Sequence, residues 1–426
     1  MSSTSKKRIV VLGGGTVMHV RNHLALCAPA YGNTARALKP LFEAELTAQG
    51  VSDQYQVETA LTKMADFRSK LETNDDVAKY LDELIADKSV RVLIFNVALT
   101  DFSGSIGEEA SGSHAQRLKT KEGEQVMRLT PTDKLLGRIR KERKDIFLIG
   151  FKTTTGATSE EQYKTALELL KKNSANLVLA NDTVCRRNMI VAPEETRYCE
   201  TTDRAEVLNF LVKMTVSRMR NTFTRSTVVE GAAIPWEGEA VPASLREVVD
   251  HCIAEGAYKP VLGKTAGHFA VKVNEKQVLT SIRKTNFNEL RNVGLVQIDA
   301  LGDDKVIAHG FKPSVGGQSQ RIIFKEHEGL DCIVHFHCPV KADAPDFIPE
   351  KEQWQNECGS HECGRNTSGG LKEVDLGDGD RLSVVFLKGH GPNIVFNRKT
   401  PARKVKAFID RNFDLRAKTG GLVAAG

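Results

Sequence analysis

The stretch IVHFHCPV, residues 333–340, decides how the second half of this chain is read. It is a short apolar run centred on His335-Phe336-His337, and alternate side chains of a β-strand share a face. Both imidazoles are therefore expected to project the same way, with Phe336 pointing back into the protein. Two structural histidines on one face of an otherwise apolar strand would each need a separate partner, so the pair reads as metal ligands. His390, at the glycine-rich turn KGHGP, is the candidate third ligand.

Around this stretch lie short β-like runs at Phe269 to Val273, Leu295 to Ile298 and Lys305 to Gly310, with a last strand at Arg381 to Leu387 and a basic helix at Ala402 to Ala417. A helix is expected from Leu245 to Glu255. Upstream, VVEGAAIPWEGEAVPA (Val228 to Ala243) breaks the pattern with Gly and Pro and reads as an interdomain linker. The first half has another grammar. The apolar run Ile9 to Leu12 leads into Gly13, Gly14 and Gly15, a strand and glycine turn of the kind that brings backbone N–H groups to a phosphate. A helix is expected over Tyr31 to Gln49, with Pro40 marking a kink or a late start. Further strands are read at Val90 to Phe102, Ile146 to Phe151 and Leu177 to Ala180, alternating with helices at Val77 to Ala86, Leu135 to Arg143, Glu160 to Lys172 and Ala205 to Arg218. This alternation implies a parallel sheet with helices on both faces. Ser103 to Glu124 has no apolar period and reads as a mobile flap.

At 426 residues and a net charge of +6, with basic residues spread along the chain, composition fits two or three soluble domains. It does not suggest a nucleic-acid or polybasic membrane role. The polar start Met1 to Lys7 and the absence of a long apolar run predict neither signal peptide nor membrane span. Eight cysteines without a secretory signal read as reduced thiols or ligands, which suits the cytosol.

The order GGGT, NVALTDF, a Lys-containing loop, LTPTDKLL, FLIGFKTTT and LVLANDT over about residues 7–220 resembles the phosphopantothenoylcysteine synthetase family. Its members join cysteine to phosphopantothenate through an acyl-nucleotide intermediate. The resemblance implies that Gly14, Gly15, Asp101, Phe151, Asn181 and Asp182 line a nucleotide site for ATP or CTP with Mg²⁺. It also implies that Arg21 binds the substrate's anionic group and that Lys119 or Lys121 in the flap neutralises phosphate charge. The sequence departs from the family after the glycines: VMHVRNHLALCAPAYG lacks the Asn-x-Ser-Ser-Gly turn. The catalytic Asn of the family falls on Ala25, with Asn22 as the nearby substitute.

A second order, GKTAGHFAVKV, VLTSIRKTNFNEL, LVQIDALGD, GFKPSVGGQSQRIIF, CIVHFHCPV and FLKGHGP, resembles the class II aldolase and adducin family over about residues 240–415. The resemblance implies that His335, His337 and His390 hold Zn²⁺ or another divalent cation with one open position, as a Lewis acid for an enediolate. Lys264, Thr265, Ser281, Arg283 and Ser314 would fall on phosphate-binding loops. The family's Pro-Ser-Ser-Glu supplies a proton-shuttling Glu, and here Gly316 stands in its place, so another group such as Glu326 or Glu328 must act or the chemistry differs. Cys358, His361 and Cys363 read either as a second zinc site or as a loop over the first.

The expected architecture is α/β throughout. Residues 1–227 form a doubly wound, Rossmann-like nucleotide-binding domain, 228–243 a linker, and 244–426 a class II aldolase-like metal-binding domain. The expected function is a two-domain metabolic enzyme, ligase-like and lyase-like, acting on small molecules and associating as a homo-oligomer. The alternative is that the aldolase-like half is a non-catalytic, adducin-type assembly or sensing module.

Overall fold

The computed structural model describes residues 6–302 and 304–418, the side chains of 317–319 excepted. The chain divides into two compact units, the first Met1–Ile190 with Thr201–Met219, the second Val191–Glu200 with Arg220–Gly426. Both mix helix and strand, so the α/β class read from the sequence holds.

The first unit is built on sheet strands in the order Asn188–Val191, Leu177–Asp182, Phe147–Thr154, Val90–Ala98, Lys7–Gly15, Tyr55–Leu61. The last five run parallel. Ile9, Val10, Val11 and Leu12 are all fully buried, so both faces of the sheet are covered, which is why this strand reads as a continuous apolar run. Helices Asn74–Ala86 and Ser159–Asn173 start at Thr73 and Thr158, each in a capping box with Asp76 or Glu161. Helix Asn33–Ala48 begins on time and carries Pro40 within it.

Two features of this unit differ from the sequence reading. The strand runs through all three glycines and is followed by an antiparallel hairpin, Val17–Arg21 with Leu24–Cys27, before the helix. The glycines serve close approach: a Cβ on Gly13 would lie 2.4 Å from the Ala35 Cβ, and one on Gly15 would lie 1.8 Å from the Ala28 carbonyl oxygen. The expected flap is rooted in a second hairpin, Phe102–Ile106 with Met127–Pro131, whose largely polar strands carry no apolar period to betray them.

The second unit carries a ten-stranded sheet in the order Arg225–Val229, Lys305–His309, Leu295–Ala300, Gln277–Ser281, His268–Lys272, Cys332–His335, Gly391–Phe396, Arg381–Leu387, Glu350–Lys351, with Lys372–Asp375 also on Arg381–Leu387. Its central pairs are antiparallel. The stretch 228–243 is not a free linker. Its first residues end the strand Arg225–Val229, which pairs with Lys305–His309, and Ile234 bridges Leu295. Trp236 is fully buried, donates its indole N–H to Asp250 at 2.8 Å, and meets Phe269 edge-on at 5.5 Å. Gly and Pro spread its apolar residues too widely for a periodic signal, so their burial becomes visible only in the fold. No helix among the described residues is long and apolar enough to cross a membrane.

Because Trp236 sits in the main core of this unit, Trp236→Ala is expected to cost about 3–5 kcal/mol. Chemical denaturation followed by far-UV circular dichroism checks this; a loss below about 1 kcal/mol, near what exposed substitutions give, would restore the linker reading.

Candidate functional site

Three adjacent strands of the second unit bring histidines to one place. Cys332–His335 lies between His268–Lys272 and Gly391–Phe396, with His335 opposite His268 on one side and Asn393 on the other. The strand stops at His335. His337 is therefore not displayed on a strand face, as the alternation of the sequence implied; it lies in the irregular segment ahead of Pro339, which has no N–H to extend a ladder. Its ring nevertheless lies 5.0 Å from that of His335 and 4.6 Å from that of His390. Gly391, at φ 147°, makes the approach possible, because a Cβ there would fall 2.1 Å from the Phe336 carbonyl oxygen.

The chemistry of this cluster follows from its burial. His335, His337 and His390 are only 1, 6 and 2 % exposed. His335 Nδ1 lies 2.7 Å from the Pro392 carbonyl, which fixes that nitrogen as the N–H donor and leaves Nε2 with its lone pair. That Nε2 is 3.1 Å from His390 Nε2. Desolvation, reinforced by the neighbouring rings of His268 and His337, holds His335 well below the usual histidine range. Buried imidazoles whose ligand atoms all lie within 4.8 Å of one another are a donor set that fits a divalent cation with an open position.

Three more side chains lie near the cluster, of which the sequence reading had named Cys358 alone. Glu195, 1 % exposed, places Oε2 3.6 Å from His337 Nδ1 and 2.5 Å from Lys418 Nζ. Cys358 Sγ stands 3.9 Å from His390 Nε2. His268 stacks at 4.7 Å from His335, and burial, with His337 as a second influence, pushes its pKa down to about 3. Nothing in the local sequence marks Glu195, whereas His268 was visible as a further histidine opening an apolar strand.

The residues read as phosphate-binding gather in part. Ser314 N–H donates to the Ser281 carbonyl at 2.9 Å and Ile282 bridges Pro313, so Ser281, Arg283 and Ser314 share one corner. The Ser281 hydroxyl is fully buried and meets no hydrogen-bond partner among the described residues. Thr265 is held instead by the loop that follows Arg283, taking a hydrogen bond from Phe287 N–H at 3.0 Å, and its neighbour Lys264 is exposed. Cys358, His361 and Cys363 face different partners: His390, Thr224 at 2.8 Å and Gln353 at 3.4 Å. Among the described residues the three-histidine group alone could hold a metal ion. Glu326 and Glu328 are exposed, and Glu326 accepts from Ser368.

In the first unit, Gly14, Gly15, Asn181 and Asp182 stand at the carboxyl ends of parallel strands, Phe151 lies on the strand between them, and Asp101 just follows Val90–Ala98. This is the edge where open α/β sheets bind ligands. Asp101 is exposed and ion-paired with Lys134. Asp182 is buried and fully engaged: burial raises its pKa, but hydrogen bonds from Cys185, Ala157, Thr154 and Val184 outweigh that and hold the carboxyl far below its usual range. It fastens two loops at this edge. Arg21 is likewise buried, at 2 % exposure, giving hydrogen bonds to the Val20 and Ile106 carbonyls with Glu109 3.5 Å away. Asn22 and Ala25 lie exposed on the Val17–Cys27 hairpin, and Lys119 and Lys121 are exposed on the flap.

Residues 54–219 match the family model of the DNA/pantothenate metabolism flavoprotein C-terminal domain, and residues 257–395 that of the class II aldolase and adducin N-terminal domain. The chain thus carries one domain of each kind, the two resemblances read from its motifs. Among curated proteins it is 24% identical over 179 residues to the coenzyme A biosynthesis bifunctional protein CoaBC of Thermococcus kodakarensis, covering 42% of this chain and 42% of that one. The CoaBC of Methanocaldococcus jannaschii is 26% identical over 181 residues, 41% of this chain and 40% of the relative. The match therefore spans about two fifths of the length of these relatives. Among solved structures, the DNA/pantothenate metabolism flavoprotein of Streptococcus pneumoniae aligns with 50% of this chain and 99% of its own, at 21% identity and a TM-score of 0.39.

The metal-free chain titrated with Zn²⁺ is expected to bind one equivalent, and His390→Ala to weaken that binding by about 100-fold or more. Cys363→Ser should leave it unchanged. A second equivalent that disappears in Cys363→Ser, read by elemental analysis after dialysis, would instead establish a cysteine–histidine site.

Proposed function

We propose that this chain is a two-domain metabolic enzyme whose second unit uses a divalent cation, zinc by the nature of its donors, to act on a small hydroxy-carbonyl or phosphosugar compound. The observation that carries this reading is the convergence of three buried imidazoles. When bound, the cation supplies Lewis acidity to a substrate oxygen. Around it, the chain's own groups bind and orient: the buried Ser281 hydroxyl, Ser314 and Arg283 form the corner suited to an anionic end such as a phosphate. An adducin-type assembly role would ask nothing of three converging imidazoles, which disfavours that alternative.

The first unit is the nucleotide-dependent partner. The family match over residues 54–219 and the gathering of Gly14, Gly15, Phe151 and Asn181 at the carboxyl edge of the sheet support a carboxylate-activating ligase similar to phosphopantothenate–cysteine ligase, using ATP or CTP with Mg²⁺. In this reading Lys119 or Lys121 closes over the phosphates, Asn22 stands for the absent family Asn, and Asp182 organises the loops without touching the nucleotide. Arg21, already engaged with two carbonyls, is left out of the substrate contacts.

Each half has its own test. Stoichiometric zinc together with a loss of at least about 100-fold in turnover of a small ketose or aldose phosphate in His335→Ala is the expected result for the second unit. Unchanged turnover in zinc-free protein would sink it. For the first, pyrophosphate should appear when ATP or CTP is supplied with phosphopantothenate and cysteine. No release with either nucleotide, under conditions where the nucleotide binds, would remove the ligase assignment.

A further inference from the structure

Gly316 caps the helix Gly317–Glu326 at φ −62°, a conformation open to any residue, so backbone geometry does not require glycine there. Space does. A Cβ at 316 would lie 2.1 Å from Cδ2 and 2.6 Å from Nε2 of His268, whose ring fills the volume a side chain at 316 would enter. The ring is held from its other side. The Thr280 hydroxyl lies 3.1 Å from Gln320 Oε1, nearer than the 3.4 Å to the Phe269 carbonyl, so it donates to Oε1. That leaves the Gln320 amide N–H to donate to His268 Nδ1, 2.6 Å away. Thr280 and Gln320 are fully buried, so neither rearranges around water. With Nδ1 occupied as an acceptor, a neutral ring must carry its proton on Nε2. Nε2 meets no hydrogen-bond partner among the described residues.

We propose that His268 is a substrate-contacting residue, a neutral imidazole oriented by Gln320 and Thr280 that presents its Nε2–H as a fixed hydrogen-bond donor beside the three-histidine centre, its ring seated in the space that the missing side chain at 316 leaves. This rests on the hydroxy-carbonyl reading of that centre and adds what selects the ligand. A donor with no acceptor capacity takes a carbonyl, alkoxide or carboxylate oxygen and rejects an ammonium or hydroxyl hydrogen pointed at it. The proton stays on Nε2 throughout; the residue polarises the oxygen, and another group must move protons. The same packing explains why any larger residue at 316 must displace the ring.

The test uses the full chain. With ¹⁵N-labelled histidine, long-range ¹H–¹⁵N correlation of the metal-free protein, the His268 signals assigned by their loss in His268→Gln, is expected to show an Nε2–H tautomer with Nδ1 unprotonated. The zinc-loaded chain is then titrated calorimetrically with glycolohydroxamate, a bidentate hydroxy-carbonyl mimic. His268→Leu should weaken binding by about tenfold or more at unchanged zinc stoichiometry, while His268→Gln, which keeps an N–H donor at similar reach and guards against a folding defect in the leucine variant, should stay within about threefold. An Nδ1–H tautomer overturns the proposal, as does undiminished binding in His268→Leu or loss of zinc in both variants. A wild-type chain that holds zinc but binds no glycolohydroxamate overturns the hydroxy-carbonyl reading itself, and the ligand assigned to His268 with it; the tautomer reports separately on the orientation of the ring.

Discussion

Water is nearly excluded from four imidazoles packed side by side, and the central part of the second unit is arranged to make that tolerable. A buried polar ring without a partner is costly, and a buried charged one is costlier. For two of the rings the outward nitrogen is tied down by name: His335 to the Pro392 carbonyl and His268 to the Gln320 amide. With those nitrogens fixed, the rings remain neutral and their other nitrogens turn inward. The antiparallel register of three neighbouring strands then sets the distances, placing His268 opposite His335 and starting Gly391–Phe396 directly after His390. Glycine is the companion of this arrangement. Gly267 and Gly391 bring backbone against the His335 and Phe336 carbonyls, and Gly316 yields its side-chain volume to a ring.

The first unit answers a different constraint, that of holding loops at the carboxyl edge of a parallel sheet. Asp182 gathers backbone N–H groups from two loops around one carboxylate, and Arg21 gathers backbone carbonyls around one guanidinium. Both are charged residues of the kind that suggests ligand contact in a linear sequence, and both are engaged by the protein's own backbone. Exposed Lys119, Lys121 and Asp101 keep the opposite character. Charge at this edge therefore has two uses, one internal and one facing outward, and burial is what separates them.

Segments with weak sequence signals supply important contacts. The 228–243 stretch looks like punctuation but contributes Trp236 to the core and part of an edge strand to the sheet. Residues 191–200 pack with the second unit, where Thr196 donates to the Gly389 carbonyl at 2.6 Å and Glu195 meets His337. Neither segment has the periodicity that marks a helix or an inward-facing strand, because each buries one or two residues through tertiary contact instead of a repeating face.

The sequence by itself determined the alternating strands and helices of the first half, the apolar strands of the second, the two family resemblances, and His335, His337 and His390 as a set. These are local patterns or ordered motifs, and period, composition and spacing carry them. Only the tertiary structure decided that His337 lies beyond the strand's end, that His268 joins the centre while Cys358, His361 and Cys363 disperse, that Arg21 faces inward, and that glycine at 316 makes room for a ring. Each of those depends on which element lies next to which and in what register, a relation between residues as far as 137 positions apart in the chain, as from Thr224 to His361, that no local pattern encodes.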